Sequence, residues 1–184
     1  MKNVLKSNNS QTLRNVVTLR CVTNRNILFT PATILYYELN KLSRKNGPSV
    51  VHTNGAQLWH RDGKRHREDG PAVILENGMQ YWFRNDKLHR EDGPAKIYPD
   101  GSQYWYKNGY LHRDDGPAAI YSNGTQCWYK NDKLHRENGP AIIWSNGTQY
   151  WYKNGKRHRE DGPAIIRVNG SKEWWKNNKF IKRS

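Results

Sequence analysis

Five histidines are the residues of this chain best suited to chemistry, because an imidazole can bind a metal ion or transfer a proton. They recur every 23 residues, each within a variant of His-Arg-Glu-Asp-Gly-Pro-Ala: His66, His89, His112, His135 and His158. Ligands of one metal must converge within about 2 Å of it. Units that each add two strands to a sheet lie about 10 Å apart, which keeps the imidazoles separate. We therefore predict that the histidines are hydrogen-bonding groups of the scaffold and that there is no metal site.

Neighbouring carboxylates accompany most of these histidines and raise the question of acid–base catalysis. Glu68-Asp69, Glu91-Asp92 and Glu160-Asp161 are such pairs, whereas Asn138 replaces one acid in the fourth copy. Adjacent residues of a strand point to opposite faces, so the two carboxylates of a pair do not converge on one bond. We predict that they form ion pairs with Arg or Lys, or cap backbone groups.

Other signatures of catalysis are missing from the sequence. It contains no Gly-rich phosphate loop, no serine nucleophile elbow and no paired Cys and His beside a unique nucleophile. An active site occurs once in a domain, whereas a feature in five copies belongs to the fold. We predict a non-enzymatic protein with no catalytic residue, no cofactor and no small-molecule substrate.

The elements that carry these residues follow from the turn signals within each repeat. Asp100-Gly101 and Asn108-Gly109 bracket the short run 102–107, and Asx-Gly pairs favour the positive φ angles of tight hairpin turns. The partner strand runs over about 110–122 and is interrupted at 114–117, where Pro cannot donate to the ladder and Gly permits a bulge. The sequence predicts an all-β fold: an elongated antiparallel meander of about six 23-residue β-hairpin repeats.

The array of repeats is predicted to cover residues 27–171, because degenerate copies precede the first clear one. Leu42-Ser-Arg-Lys-Asn-Gly-Pro48 aligns one period before Arg65-His-Arg-Glu-Asp-Gly-Pro71. Residues 1–26 lack the motif and are predicted to be a cap or arm, in which 15–22 alternates enough to form a strand. Such a strand would cap the first hairpin or add to the edge of another chain. Residues 172–184 are predicted to be the last strand and a basic tail.

Period-2 alternation assigns side chains to the two faces of the predicted sheet. Ala72 and Ile74, with their counterparts in later repeats, are predicted to form the core face. The tryptophans are predicted to join the histidines in the structural core of the repeat: Trp59, Trp82, Trp105, Trp128, Trp151 and Trp174. The opposite parity carries an aromatic ladder, which we predict to be the interaction face: Tyr81, Phe83, Tyr104, Tyr106, Tyr129, Tyr150 and Tyr152. The alternative is that long Lys and Arg stems cover it.

One unit, Tyr-Lys-Asn-Gly-Tyr-Leu-His112, resembles the MORN repeat family, whose units are β-hairpins in elongated sheets. It is still more similar to a divergent MORN-like variant with a His-Arg-Glu-Asp-Gly-Pro-Ala core, found in large DNA viruses of amoebae. The resemblance covers residues 27–184. It departs from the common pattern where the glycine after the His is replaced by an arginine: Arg67, Arg90, Arg113, Arg136 or Arg159. The resemblance implies protein scaffolding and dimerisation, as in some MORN proteins, or phospholipid binding, as in others.

Charge suggests a second kind of partner. The formal net charge is +15, and the surplus lies at the two ends, in residues 1–26 and 172–184. The main prediction is a scaffold or adaptor that binds a protein partner and self-associates as a homo-oligomer, with a dimer favoured. The alternative is electrostatic binding of acidic lipid or nucleic acid through these basic termini.

The cellular setting is predicted from cysteine usage and hydropathy. Cys21 and Cys127 cannot build a disulfide framework, and no apolar run is long enough for a signal peptide or a membrane span. The sequence predicts a soluble intracellular protein. The resemblance implies a host cytoplasm or a virion as its place.

Overall fold

The computed structural model describes residues 15–18, 33–38 and 40–184, and every regular element among them is a β-strand. The predicted cap or arm, residues 1–26, lies outside the described residues except for one strand at 15–18. Two compact units divide the chain, Met1–Lys87 and Leu88–Ser184. Within the described residues, no helix is present that has the length and apolar character to cross a bilayer.

The strands of the first unit are mostly two residues long. They are β1 (Asn15–Thr18), β2 (Thr33–Glu38), β3 (Lys41–Leu42), β4 (Val50–His52), β5 (Gln57–Leu58), β6 (His60–Arg61), β7 (Lys64–Arg65), β8 (Val73–Ile74), β9 (Gln80–Tyr81) and β10 (Phe83–Arg84), and β11 (Lys87–Leu88) spans the boundary. An antiparallel sheet runs in the order β1-β2-β4-β5-β8-β9, with β3 beside β2, and β6 pairs with β7 in a separate hairpin.

The second unit repeats the same plan with greater regularity. Its strands are β12 (Lys96–Ile97), β13 (Gln103–Tyr104), β14 (Tyr106–Lys107), β15 (Tyr110–Leu111), β16 (Ala119–Ile120), β17 (Gln126–Cys127), β18 (Tyr129–Lys130), β19 (Lys133–Leu134), β20 (Ile142–Ile143), β21 (Gln149–Tyr150), β22 (Tyr152–Lys153), β23 (Lys156–Arg157), β24 (Ile165–Ile166), β25 (Lys172–Lys176) and β26 (Lys179–Arg183). The main sheet has the order β12-β13-β16-β17-β20-β21-β24-β25-β26, and β14-β15, β18-β19 and β22-β23 form small hairpins beside it. The predicted all-β meander of repeated hairpins is confirmed.

Each repeat therefore places two strands in the main sheet and two in a side hairpin. The hairpin turn is tight because both central residues have positive φ, as at Asn108 (φ 55°) and Gly109 (φ 92°). Trp105 joins the two parts, since its N–H donates to the Ala118 carbonyl at 2.8 Å and its carbonyl accepts the His112 N–H at 3.0 Å. The chain bends at 114–116, where the sequence predicted an interruption of the strand.

The register of the sheet decides which residues share a face. Ala119 lies opposite Tyr104 and Cys127, whereas Ile120 lies opposite Gln103. Directly opposite residues of an antiparallel pair point to the same face. The tyrosines of the main sheet therefore share a face with Ala119. This is also the packed face, because Tyr104 and Tyr150 pack against the core cluster of Ala119, Cys127 and Ile142. Side chains of the side hairpins complete the cluster: Tyr129, Leu134 and Tyr152.

The predicted core face needs a correction. The alanines are fully buried as expected, with Ala72 at 0% exposure, but Ile74 is only half-buried. The buried partner is the intervening residue: Val73, Ala119, Ile142 or Ile165. The alanine belongs to the bend that precedes the strand, so period-2 alternation does not extend from it to the isoleucine.

Candidate functional site

The repeated histidines lie between neighbouring hairpins. In the second unit, the Nδ1 of His89 accepts the backbone N–H of Asn108 at 3.1 Å, and the Nδ1 of His135 accepts that of Asn154 at 3.1 Å. The Nε2 of each histidine contacts the carboxylate two residues later, at 2.9 Å for His135 and Glu137. Only 5–10% of each imidazole side chain is exposed. These side chains connect one repeat to the next.

In four repeats, the arginine that follows the histidine covers a tryptophan of the same repeat. The Cζ atom of Arg113 lies 4.2 Å from the ring centroid of Trp105. Its guanidinium also donates to the Pro117 carbonyl at 3.5 Å and to the Asp115 carboxylate at 2.9 Å. The same stacking recurs at 3.9–4.3 Å in other repeats: Arg67 on Trp59, Arg136 on Trp128, and Arg159 on Trp151. The tryptophans are half-buried beneath these guanidinium groups.

The invariant glycine of the motif follows from this stacking. A Cβ atom placed on Gly116 would lie 3.0 Å from the Cζ of Arg113, and one on Gly93 would lie 2.9 Å from the Cζ of Arg90. The guanidinium therefore rests on the bare Cα of the bend. Sequence reasoning noted the arginine as a departure from the MORN pattern but missed its role, although the constant spacing of Trp, Arg and Gly was a usable signal.

The aromatic side chains of the predicted interaction face are not fully exposed to solvent. Phe83 is buried, and the tyrosines are half-buried. Burial, and then the neighbouring Tyr121, raises the pKa of Tyr104 to about 12. Burial also raises the pKa of the Cys127 thiol to about 11. Their binding of a partner stays a prediction, and much of their ring area is used within the repeat.

Exposed rings lie beside this face in the second unit. Tyr121 and Trp144 occupy equivalent positions in consecutive repeats and are 36% and 42% exposed. Tyr121 makes an edge-to-face contact with Tyr104 at a centroid distance of 5.7 Å, and Trp144 makes one with Tyr150 at 6.2 Å. We call Tyr121 and Trp144 the exposed aromatic row. Trp144 and Tyr121 lie outside the aromatic ladder that the sequence predicted as the interaction face.

One serine–histidine pair in the first unit resembles a nucleophile and its base. The Ser49 hydroxyl lies 2.8 Å from the Nδ1 of His60, and burial lowers the pKa of His60. The Leu58 carbonyl is a second acceptor for the Ser49 hydroxyl, at 3.1 Å. Ser49 is also fully buried, so its oxygen is not accessible as a nucleophile. The pair connects the residue before β4 to β6.

Carboxylates in the second unit are likewise engaged by the scaffold. The strongest case is Glu173, which is 3% exposed and contacts Arg167 at 2.9 Å. The Trp175 indole N–H, followed by Arg183 and Arg167, lowers the pKa of Glu173 to about 2. In the residues that the structure describes, no cluster of three or more His, Cys, Asp or Glu side chains could hold a metal ion.

A groove of about 800 Å³ lies between the bends of two consecutive repeats in the second unit. Its walls include His89, Trp105 and Arg113, of which the imidazole and the guanidinium already form hydrogen bonds within the repeats. No protein-family model matches the chain, and no curated protein matches it.

Proposed function

We propose that this chain is a divergent MORN-like repeat protein that acts as a non-enzymatic scaffold or adaptor. In this proposal it binds a protein partner and self-associates as a homo-oligomer, with a dimer favoured. The all-β meander of short repeated hairpins is compatible with MORN-like repeats. The setting remains as predicted from the sequence, inside a cell and, by resemblance, in a virus-infected host or a virion.

The exposed aromatic row is the observation that carries the proposal. Tyr121 and Trp144 leave more than a third of their surface in water, although the rest of their repeats places aromatic rings against the core. Aromatic residues are enriched at the centres of protein interfaces because they bury large areas with little loss of side-chain freedom. Two such rings on consecutive repeats form a surface suited to a protein partner.

The repetition of the polar groups supports a role without catalysis. The histidines and the arginines of the motif bond to neighbouring backbone or carboxylate groups in the same way in successive repeats. The serine of the Ser49–His60 pair is fully buried and therefore not accessible as a nucleophile. These groups stabilise the array.

The test removes the exposed aromatic row and follows association. A Tyr121→Ser/Trp144→Ser variant should weaken self-association in sedimentation velocity and lose the partners recovered by affinity purification with mass spectrometry. Val168→Ser is the matched control, because Val168 is 72% exposed in a turn outside the row. All three proteins should have similar melting temperatures. A monomeric wild-type chain that retains no protein would contradict the proposal, as would a double variant that behaves like the wild type.

A further inference from the structure

The side hairpins of the second unit place lysines directly opposite one another. Lys130 pairs with Lys133, and Lys153 pairs with Lys156 in the next hairpin. Lys176 pairs with Lys179 across the turn between β25 and β26. Opposite Cβ atoms in an antiparallel pair are about 5 Å apart. We call these residues the lysine ridge: Lys130, Lys133, Lys153, Lys156, Lys176 and Lys179.

Consecutive members of the ridge lie side by side. The Gly155 N–H donates to the Leu134 carbonyl at 2.8 Å, and the Asn178 N–H donates to the Arg157 carbonyl at 3.0 Å. Each turn is thus bonded to the ascending strand of the preceding hairpin. Since each repeat adds two strands to the main sheet, the lysine pairs recur about every 10 Å. All six side chains are exposed.

Most of these lysines have no ion-pair partner in the second unit, although Glu137 attracts Lys130 and Lys153 at longer range. Lys176 contacts Glu160 at 2.9 Å, but the other five lysines have no ion pair among the described residues. The carboxylates of the unit are occupied elsewhere, by histidines, arginines, a lysine or turn groups. Most acids of the unit thus lie at the bends and the ridge lysines on the hairpins, although Asp132 lies in the turn between Lys130 and Lys133, where it accepts the Leu111 N–H at 2.7 Å. Like charges directly opposite each other destabilise a sheet, so the ridge does not stabilise the fold.

We propose that the lysine ridge binds the phosphate backbone of a single-stranded nucleic acid. Proteins that bind single strands without sequence preference combine a row of positive charge with aromatic side chains on which bases stack. The row continues into the preceding hairpin, where Lys107 lies opposite Tyr110, whose side chain is 54% exposed, although Lys107 also contacts Asp114 at 3.4 Å. Lys176 and Lys179 belong to the basic C-terminal residues 172–184, whereas the other four ridge lysines lie in the repeat array, away from the basic termini.

The hairpin turns favour a nucleic acid over a membrane surface. Peripheral membrane segments insert Trp, Phe or Leu among the headgroups beside their basic residues. The turns between the paired lysines instead carry no apolar side chain: they hold Asn131, Asp132, Asn154, Gly155, Asn177 and Asn178. Exposed apolar side chains beside the paired lysines occur in the last hairpin, at Phe180 and Ile181. A narrow double row of cations is complementary to a linear polyanion.

The test measures binding of the full chain to a fluorescent DNA single strand of about 20 nucleotides, by anisotropy over a range of NaCl concentrations. The ridge variant is Lys133→Gln/Lys156→Gln/Lys179→Gln. The control variant, Lys2→Gln/Lys6→Gln/Arg14→Gln, removes the same charge from the basic N-terminal segment. Thermal unfolding checks that both variants remain folded, which is expected because the three ridge lysines are exposed and unpaired.

At about 100 mM NaCl, the ridge variant should bind at least about tenfold more weakly than the wild type. The slope of log K against log[NaCl] should fall by about 2, since each lost phosphate contact on a single strand contributes about 0.7. The control variant should lose less than about threefold in affinity. Equal losses in the two variants would overturn the proposal, as would absent DNA binding. Ridge-dependent binding to phosphatidylserine vesicles without DNA binding would assign the surface to membranes and overturn it too.

Discussion

At the scale of single residues, the arginine of the repeated motif contacts most of the other motif residues. Arg113 stacks on Trp105, bonds to the Pro117 carbonyl and requires the bare Cα of Gly116 beneath it. Stacked guanidinium groups contribute on the order of 0.5–2 kcal/mol, and lysine lacks the planar group that makes this geometry possible. The motif is therefore a packing unit in which Trp, Arg, Gly and Pro are selected together.

The acid that follows this arginine should matter little. Arg113 pairs with Asp115, whose side chain is 82% exposed, and exposed pairs contribute at most about 1 kcal/mol. The fourth copy has Asn138 in this place, yet Arg136 still stacks on Trp128 at 3.9 Å and bonds to Pro140 at 3.2 Å. We expect Asp115→Asn to leave the free energy of unfolding almost unchanged and Arg113→Met to lower it by about 2 kcal/mol, in urea denaturation. Equal losses would contradict this ranking.

Glu173 should make stability depend on pH in the acid range. Its pKa is about 2 in the folded chain, below the ordinary value of 4.5, because Trp175, Arg183 and Arg167 bind the carboxylate. A group with a lowered folded pKa stabilises the fold above its unfolded pKa, and this contribution is lost as pH falls from about 4.5 towards 2. Glu173→Gln should therefore be less stable than the wild type at neutral pH and should lose less stability between these pH values. Melting temperatures measured over that range test this; parallel curves would refute it.

At the scale of elements, the histidines couple hairpins that are not joined in one ladder. The side hairpins form separate two-stranded sheets, so their contacts depend on turn-to-strand hydrogen bonds and on imidazoles. His135 reaches 19 residues along the chain to the turn at Asn154. An isolated two-stranded hairpin is marginally stable in water, so these bonds stabilise the array.

Two substitutions of His135 should distinguish the contributions of its two hydrogen bonds to stability. His135→Leu removes both the acceptor for the Asn154 N–H and the contact with Glu137, and we expect a loss of about 2 kcal/mol in the free energy of unfolding. In His135→Asn the side-chain amide oxygen can occupy the place of Nδ1, so about half of that loss should be recovered. Denaturant titration measures both values. The same loss in the two variants would show that imidazole packing, and not the acceptor, is what matters.

At the scale of the whole molecule, charge is segregated and not spread evenly. The net charge of +15 does not describe where the charges lie. Carboxylates of the second unit occupy bends and turns, while lysines face one another on the hairpins. Screening by salt weakens repulsion between exposed like charges, with a Debye length of about 10 Å at 0.1 M.

Salt should therefore stabilise the protein. We expect the melting temperature to rise by a few degrees as NaCl increases from about 20 to 300 mM, because repulsion across the lysine pairs and from the overall charge is screened. The Lys133→Gln/Lys156→Gln/Lys179→Gln variant should show a smaller rise, because three of the opposed charges are gone. Scanning calorimetry at several NaCl concentrations measures both. A melting temperature that falls with salt would mean that ion pairs dominate over repulsion.

The sequence by itself determined the class of fold, the 23-residue period and the bend in each repeat, because turn residues and prolines act through local backbone geometry. It also indicated that the five histidines do not converge, which follows from the period alone. Only the tertiary structure decided which side chains lie on the packed face of the sheet. Register placed Tyr104 opposite Ala119 on the packed side, and the bend broke the alternation between Ala72 and Ile74. The arginine–tryptophan stacking and the opposed lysines likewise depend on how the chain returns on itself. Pairing across strands, unlike a turn, is set by contacts between residues distant in sequence.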